Sequence, residues 1–191
     1  MNAEDKIYEA YFKSKESRMY FNQLKKETKL SHSSLQNVLD KLVKNKILSL
    51  EKKTSNVFYE IRDKKLFSLK FSEIALSKFD SLHFEIQAPL KNFLKEISNS
   101  VFTVVIFGSA SKSEHGKESD VDLLIVEDKK ADYEKLKNEI NNFSNYPLSL
   151  FKCSVEQFCK NKDPVIIQAR KTGFPIYHEQ NFYEVSLNEP E

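Results

Sequence analysis

Apolar residues recur along this chain with two different periods, and the change of period marks out the elements. Over the first third the spacing is helical. Ile7, Ala10 and Tyr11 form one stripe, Leu24 and Leu30 bracket a short second segment, and Leu35, Val38, Leu39, Leu42, Val43 and Ile47 mark a third helix that Ser31 can cap. Residues 48–51 and 57–61 then read as two strands joined by a polar tip. Helical spacing returns over 67–87, through Phe71, Ala75, Phe79, Leu82 and Ile86, with Ser72 a candidate cap. Pro89 is expected to open a following helix that turns Leu90, Phe93, Leu94 and Ile97 inward.

Two unbroken apolar runs come next, Val101 to Phe107 and Leu123 to Val126. Each is too short for a helix and reads as a strand buried on both faces. Beyond them the pattern predicts a helix over 133–143, a strand over 147–151 and a helix over 155–160. A further helix over 163–171 is capped by Asp163, has Pro164 at its first position and is stopped by Gly173. An edge strand is expected over 174–177, and the residues from Glu184 onward are polar and expected to fray.

The 191 residues allow one ordinary domain or two small ones. No apolar run approaches the length of a membrane span, and no signal-peptide core is visible, so the expected location is cytoplasmic. Cys153 and Cys159 read as ordinary thiols. The net charge of +2 conceals an asymmetry. Residues 13–65 carry 14 Lys/Arg against 6 Asp/Glu, whereas 91–191 carry 13 against 16. A basic N-terminal third on a mildly acidic remainder points to two functions, the first facing a polyanion.

The chemistry concentrates where the first apolar run ends. Gly108-Ser109 follows it, ten mostly polar residues intervene, and Asp120-Val121-Asp122 opens the second run. A glycine at a strand end permits close backbone approach. Carboxylates two apart on a strand share a face and repel unless a cation neutralises them, and Mg²⁺ is the hard ion suited to oxygen donors. The strand, Gly-Ser, ten-residue spacer and Asp-x-Asp closely resemble the nucleotidyltransferases of the DNA polymerase β superfamily, in particular the minimal nucleotidyltransferases. That resemblance implies phosphate binding by Gly108, Ser109 and Lys112, with Mg²⁺ held by Asp120 and Asp122 as catalytic residues. Many members add a third carboxylate on the next strand as general base; here the aligned position is Ser149.

The N-terminal order of three helices and a hairpin is similar to a winged helix-turn-helix. The resemblance implies DNA contact through the third helix and the hairpin tip. Ser34, Gln36, Asn37, Lys41 and Lys44 on that helix, with Lys52 and Lys53 on the tip, are the candidate nucleic-acid-binding residues.

The expected architecture is α+β: a winged helix-turn-helix over 1–66, a linking helix over 67–87, a small mixed-sheet nucleotidyltransferase domain over 88–180, and a tail over 181–191. The expected activity is Mg²⁺-dependent transfer of a nucleoside monophosphate from a nucleoside triphosphate, ATP being the expected one, onto a hydroxyl of a protein, RNA or small molecule. By the same resemblance the chain could be the antitoxin of a toxin–antitoxin pair with a HEPN-type toxin as partner. The alternative is a DNA-binding regulator whose degenerate transferase domain senses nucleotide. The linking helix either pairs two chains or packs on its own domains.

Overall fold

The computed structural model describes residues 2–53, 56–112 and 120–188, without the side chains of Lys53 and Lys112. The chain divides into two compact units, one of residues 1–74 with 183–191 and the other of residues 75–182.

The first unit begins with α1 (Ala3–Ser14), opened by an Asn2–Asp5 capping box, followed by β1 (Arg18–Tyr20), α2 (Phe21–Thr28) and α3 (His32–Lys44). Ser31 caps α3 by accepting from the Ser34 amide at 3.2 Å. A hairpin of β2 (Leu48–Lys53) and β3 (Asn56–Ile61) closes the order. β3 pairs antiparallel with both β2 and β1, giving a sheet ordered β1-β3-β2. The three-residue β1 carries no period of its own and was absent from the sequence pattern.

Phe67, at the start of α4 (Lys64–Asp80), is fully buried in this unit. Its ring meets Tyr8 and Tyr11 edge-on at 5.0 and 5.3 Å, the geometry ring quadrupoles favour. The Tyr11 hydroxyl is satisfied by the Tyr59 carbonyl at 2.7 Å.

Of the two helices expected here, the one placed over 67–87 is α4, which ends already at Asp80, and the one expected to open at Pro89 is α5 (Phe84–Glu96), which begins five residues earlier. Asp63, not Ser72, opens α4 by accepting from the Leu66 amide at 2.9 Å, and the Ser72 hydroxyl bonds back to the Ser68 carbonyl. Pro89 lies inside α5 rather than at its first position. The helix gains the fully buried positions Ile86 and Leu90 at the cost of one backbone bond near its exposed first turns.

The second unit holds a mixed sheet of β4 (Val101–Phe107), β5 (Val121–Glu127), β6 (Leu148–Ser154) and β7 (Phe174–Tyr177), ordered β6-β5-β4-β7. β4 is antiparallel to β5 and β7, while β5 and β6 run parallel. Parallel neighbours need a crossover, and α6 (Glu134–Asn141) lies between them in sequence. Burial in β4 and β5 is nearly continuous, as expected for strands covered on both faces. After β6 come α7 (Val155–Lys160) and α8 (Pro164–Thr172), the latter capped by Asp163 through the Val165 amide at 2.8 Å.

The expected frayed tail is also corrected. Residues Glu179–Asn188 form α9, with Phe182 and Tyr183 buried. Tyr183 packs on Phe12 and Phe71 in the first unit, and Phe182 on Phe158 in the second. Two buried rings outweigh the polar character of their neighbours.

Candidate functional site

One end of the mixed sheet gathers the C-terminal end of β4, the N-terminal ends of β5 and β6, and the entry to β7. The chain leaves β4 at Gly108 in the left-handed region, φ +71°. A Cβ there would stand 2.5 Å from the Asp122 Oδ2 atom. Glycine is favoured by the backbone angle, and any larger residue would also have to push the Asp122 carboxylate aside.

Asp122 is the half-buried position of a strand otherwise buried throughout. Its neighbours in register are Phe107 on β4 and Ser149 on β6. Burial holds its carboxyl above the usual carboxylate range, and the charge of Asp120, exposed immediately before β5, pushes it further the same way. A like-charged pair of this kind attracts a cation. Among the described residues no group of three or more His, Cys, Asp or Glu side chains converges to hold a metal. The donor set is two carboxylates, which suits a hard divalent ion sharing the oxygens of a phosphate ligand.

Two residues support the turn that the motif did not mark. Ser111 is 4% exposed, and its hydroxyl lies 2.8 Å from the Gly108 carbonyl and 3.2 Å from the Thr172 carbonyl. It ties the turn to the C-terminal end of α8. Gly173 stops α8 as expected, in an extended conformation. A Cβ there would meet the Ala169 and Ile106 carbonyl oxygens at 2.5 Å, so glycine lets the end of α8 press on β4. Ser111 is indistinguishable in sequence from the rest of a polar spacer, and no periodicity would have found it.

Ser109 follows Gly108 at the same turn and is half-buried. Lys112 ends the 3₁₀ turn Ala110–Lys112, and its side chain lies outside the described residues, as does the rest of the spacer over 113–119. Ser149 sits beside Asp122 in a parallel register, so the two side chains leave the sheet on the same face. Cys153, further along β6, has its thiol pushed up to about 12, chiefly by burial and then by Asp163 and Glu127, which keeps it protonated at neutral pH.

The N-terminal candidates belong to the first unit. Asn37, Lys41, Lys44 and Lys52 are exposed, while Ser34 and Gln36 are half-buried. Gln36 donates to Asp40 at 2.8 Å and Lys41 to Glu4 at 2.8 Å, so both have partners within the protein. Asn37, Lys44 and Lys52 are on the surface. Lys53 lies, by its side chain, outside the described residues.

Residues 89–172 match the family model of the nucleotidyltransferase domain. The matched stretch runs from α5 to the end of α8 and contains Gly108, Ser109, Asp120, Asp122 and Ser149. No curated protein matches the chain. The similarity supports nucleotidyl transfer as the general activity of this part of the chain, with a nucleoside triphosphate as substrate.

Proposed function

We propose that the second unit transfers a nucleoside monophosphate from a nucleoside triphosphate, ATP being the expected one, onto a hydroxyl of a protein, RNA or small molecule. The observation that carries this reading is the contact geometry between the turn and the strand. Gly108 leaves no room for a side chain against Asp122, so a phosphate gripped by the turn would lie directly beside the carboxylate pair. Backbone amides at Gly108 and Ser109, with the Ser109 hydroxyl, hold and orient the phosphates. Asp120 and Asp122 would hold Mg²⁺, which when bound neutralises charge on the departing pyrophosphate. Ser111 keeps the turn from opening, and the half-burial of Asp122 lowers the local dielectric, which strengthens the electrostatic hold on the ligand.

Calorimetry of the Asp120→Asn, Asp122→Asn double variant tests the reading. Mg²⁺-dependent nucleotide binding should be lost with the fold intact. The stability side has a definite sign. The Asp122 pKa is raised in the folded state, so its ionised form costs stability above that pKa, and the cost fades as pH falls through it. The double variant should therefore melt above the parent at neutral pH, with the difference closing in acid. Unchanged nucleotide affinity would remove the metal assignment.

A second reading concerns the first unit. Its order α1-β1-α2-α3-β2-β3, with a β1-β3-β2 sheet and a basic surface, supports a winged helix-turn-helix that binds DNA. Coupled to a weakened transferase, it makes a nucleotide-sensing regulator.

A further inference from the structure

Ser149 places a hydroxyl of the chain itself beside the carboxylate pair. It stands in parallel register with Asp122, so the two side chains leave the sheet on one face. The residue is half-buried, and among the described residues no group engages its hydroxyl. Nearby serines differ in this respect. The Ser111 hydroxyl lies against two carbonyls, and Ser154 caps α7 by accepting from the Gln157 amide at 3.1 Å.

The backbone leading into Ser149 is tied on both sides. Asn141, the last residue of α6, accepts from the Leu148 amide at 2.8 Å and donates to the Leu148 carbonyl at 3.3 Å. From β5 the Val121 amide donates to the Pro147 carbonyl at 2.8 Å. These bonds fix the two residues before Ser149, so its hydroxyl is held at the flank of Asp122. In sheet order the Gly108–Ser109 turn of β4, Asp122 on β5 and Ser149 on β6 follow one another. An in-line displacement puts the entering and leaving oxygens on opposite sides of the phosphorus. Leaving phosphates on the β4 turn and an entering hydroxyl on β6 meet that requirement across the Asp122 position.

We propose that Ser149 is a self-modification site: the chain transfers a nucleoside monophosphate from a nucleoside triphosphate onto its own Ser149 hydroxyl. This rests on the transferase reading of the same site. The Ser149 Oγ atom forms a bond to the α-phosphorus, the bond from that phosphorus to the bridging oxygen breaks, and pyrophosphate leaves with the electron pair. The hydroxyl proton passes to solvent. Want of a general base costs about 10²–10⁴-fold, whereas a well-oriented intramolecular group reaches effective molarities on the order of 10⁵–10⁸ M. Tethering therefore outweighs the weak nucleophile. The resulting phosphodiester stands where any other acceptor must approach, so a modified chain is closed to further transfer.

The test uses full-length protein with Mg²⁺ and each common ribonucleoside triphosphate in turn, without added acceptor. Intact-mass spectrometry should show a gain of one nucleoside monophosphate per chain, and peptide mapping should place it on Ser149. Pyrophosphate release should stop at one equivalent, at a rate independent of protein concentration. Ser149→Ala should give no adduct while keeping its melting temperature, so that the loss is not one of fold. In a mixture of Ser149→Ala with the Asp120→Asn, Asp122→Asn double variant, neither chain should be labelled, because the site and the acceptor then lie on different chains. An adduct that persists in Ser149→Ala, one that maps to another residue, or labelling of the double variant in the mixture would overturn the assignment. Calorimetry with non-hydrolysable triphosphate analogues separates the two readings. Nucleotide binding by the unmodified chain with no adduct sinks self-modification alone, and absence of nucleotide binding sinks the transferase reading.

Discussion

Serine at position 149 is the residue whose chemistry most limits the site. It faces the same side of the sheet as Asp122 and stands in register with it, yet a hydroxyl neither accepts a proton near neutral pH nor adds charge to a metal site. General-base assistance contributes about 10²–10⁴-fold to a transfer rate. Ser149→Asp should therefore accelerate transfer to a neutral hydroxyl by up to that range. Ser149 is half-buried at an open strand edge, so the new carboxylate keeps access to water and the melting temperature should change little. Turnover and thermal melting measured on the same preparation check this. A collapse in stability with no gain in rate would place the side chain in the core, contrary to the register.

Among the elements, α8 has a role its sequence does not announce. Its start follows the rules of helix capping, with Asp163 and Pro164 in place. Its end matters more to the site, because the Thr172 carbonyl and Gly173 bring it against β4 and the Ser111 hydroxyl. Ser111→Ala would leave the Gly108 carbonyl without that bond in a buried setting, at a cost of about 1–3 kcal/mol. The expected outcome is a lower melting temperature together with weaker nucleotide binding, since the turn loses its tie to α8. Nucleotide affinity unchanged despite a lower melting temperature would show that the turn holds its shape without Ser111.

For the whole molecule, the first unit does not end where its sequence pattern ends. The ring of Phe67 fills the space beside Tyr8 and Tyr11, and Phe71 and Tyr183 cover Phe12. Truncating a fully buried phenylalanine to alanine costs about 3–5 kcal/mol, a large share of a small domain's stability. A fragment of residues 1–66 should accordingly be largely unfolded, as circular dichroism and thermal melting would show. Full-length protein should bind duplex DNA with a salt dependence that weakens in Lys44→Ala, each phosphate contact contributing about 0.9 to the slope. A 1–66 fragment that melts cooperatively at the full-length temperature would contradict the packing.

Much of this protein is written locally. The capped helix after Ser31, the two buried strands around the Gly-Ser and Asp-x-Asp positions, and the Asp163–Pro164 helix start all depend on short-range periodicity or on a side chain bonding its own backbone. Such features are legible because their cause lies within a few residues. Helix ends were harder to place, since the chain has only three glycines and stops α1, α2 and α7 at Lys15, Lys29 and Asn161 in left-handed conformations that these residues do not advertise. Pro89 misled because burial of Ile86 and Leu90 outweighed one lost backbone bond. The C-terminal helix was missed because Phe182 and Tyr183 find their rings more than twenty residues away or at the other end of the chain. The motif alone marked the turn and the carboxylates. That Asp122 Oδ2 occupies the space a Gly108 side chain would need, that Ser111 ties the turn to α8, and that the ring of Phe107 meets that of Phe151 are matters of tertiary packing. They follow from contacts between residues far apart in sequence, which only the tertiary structure brings together.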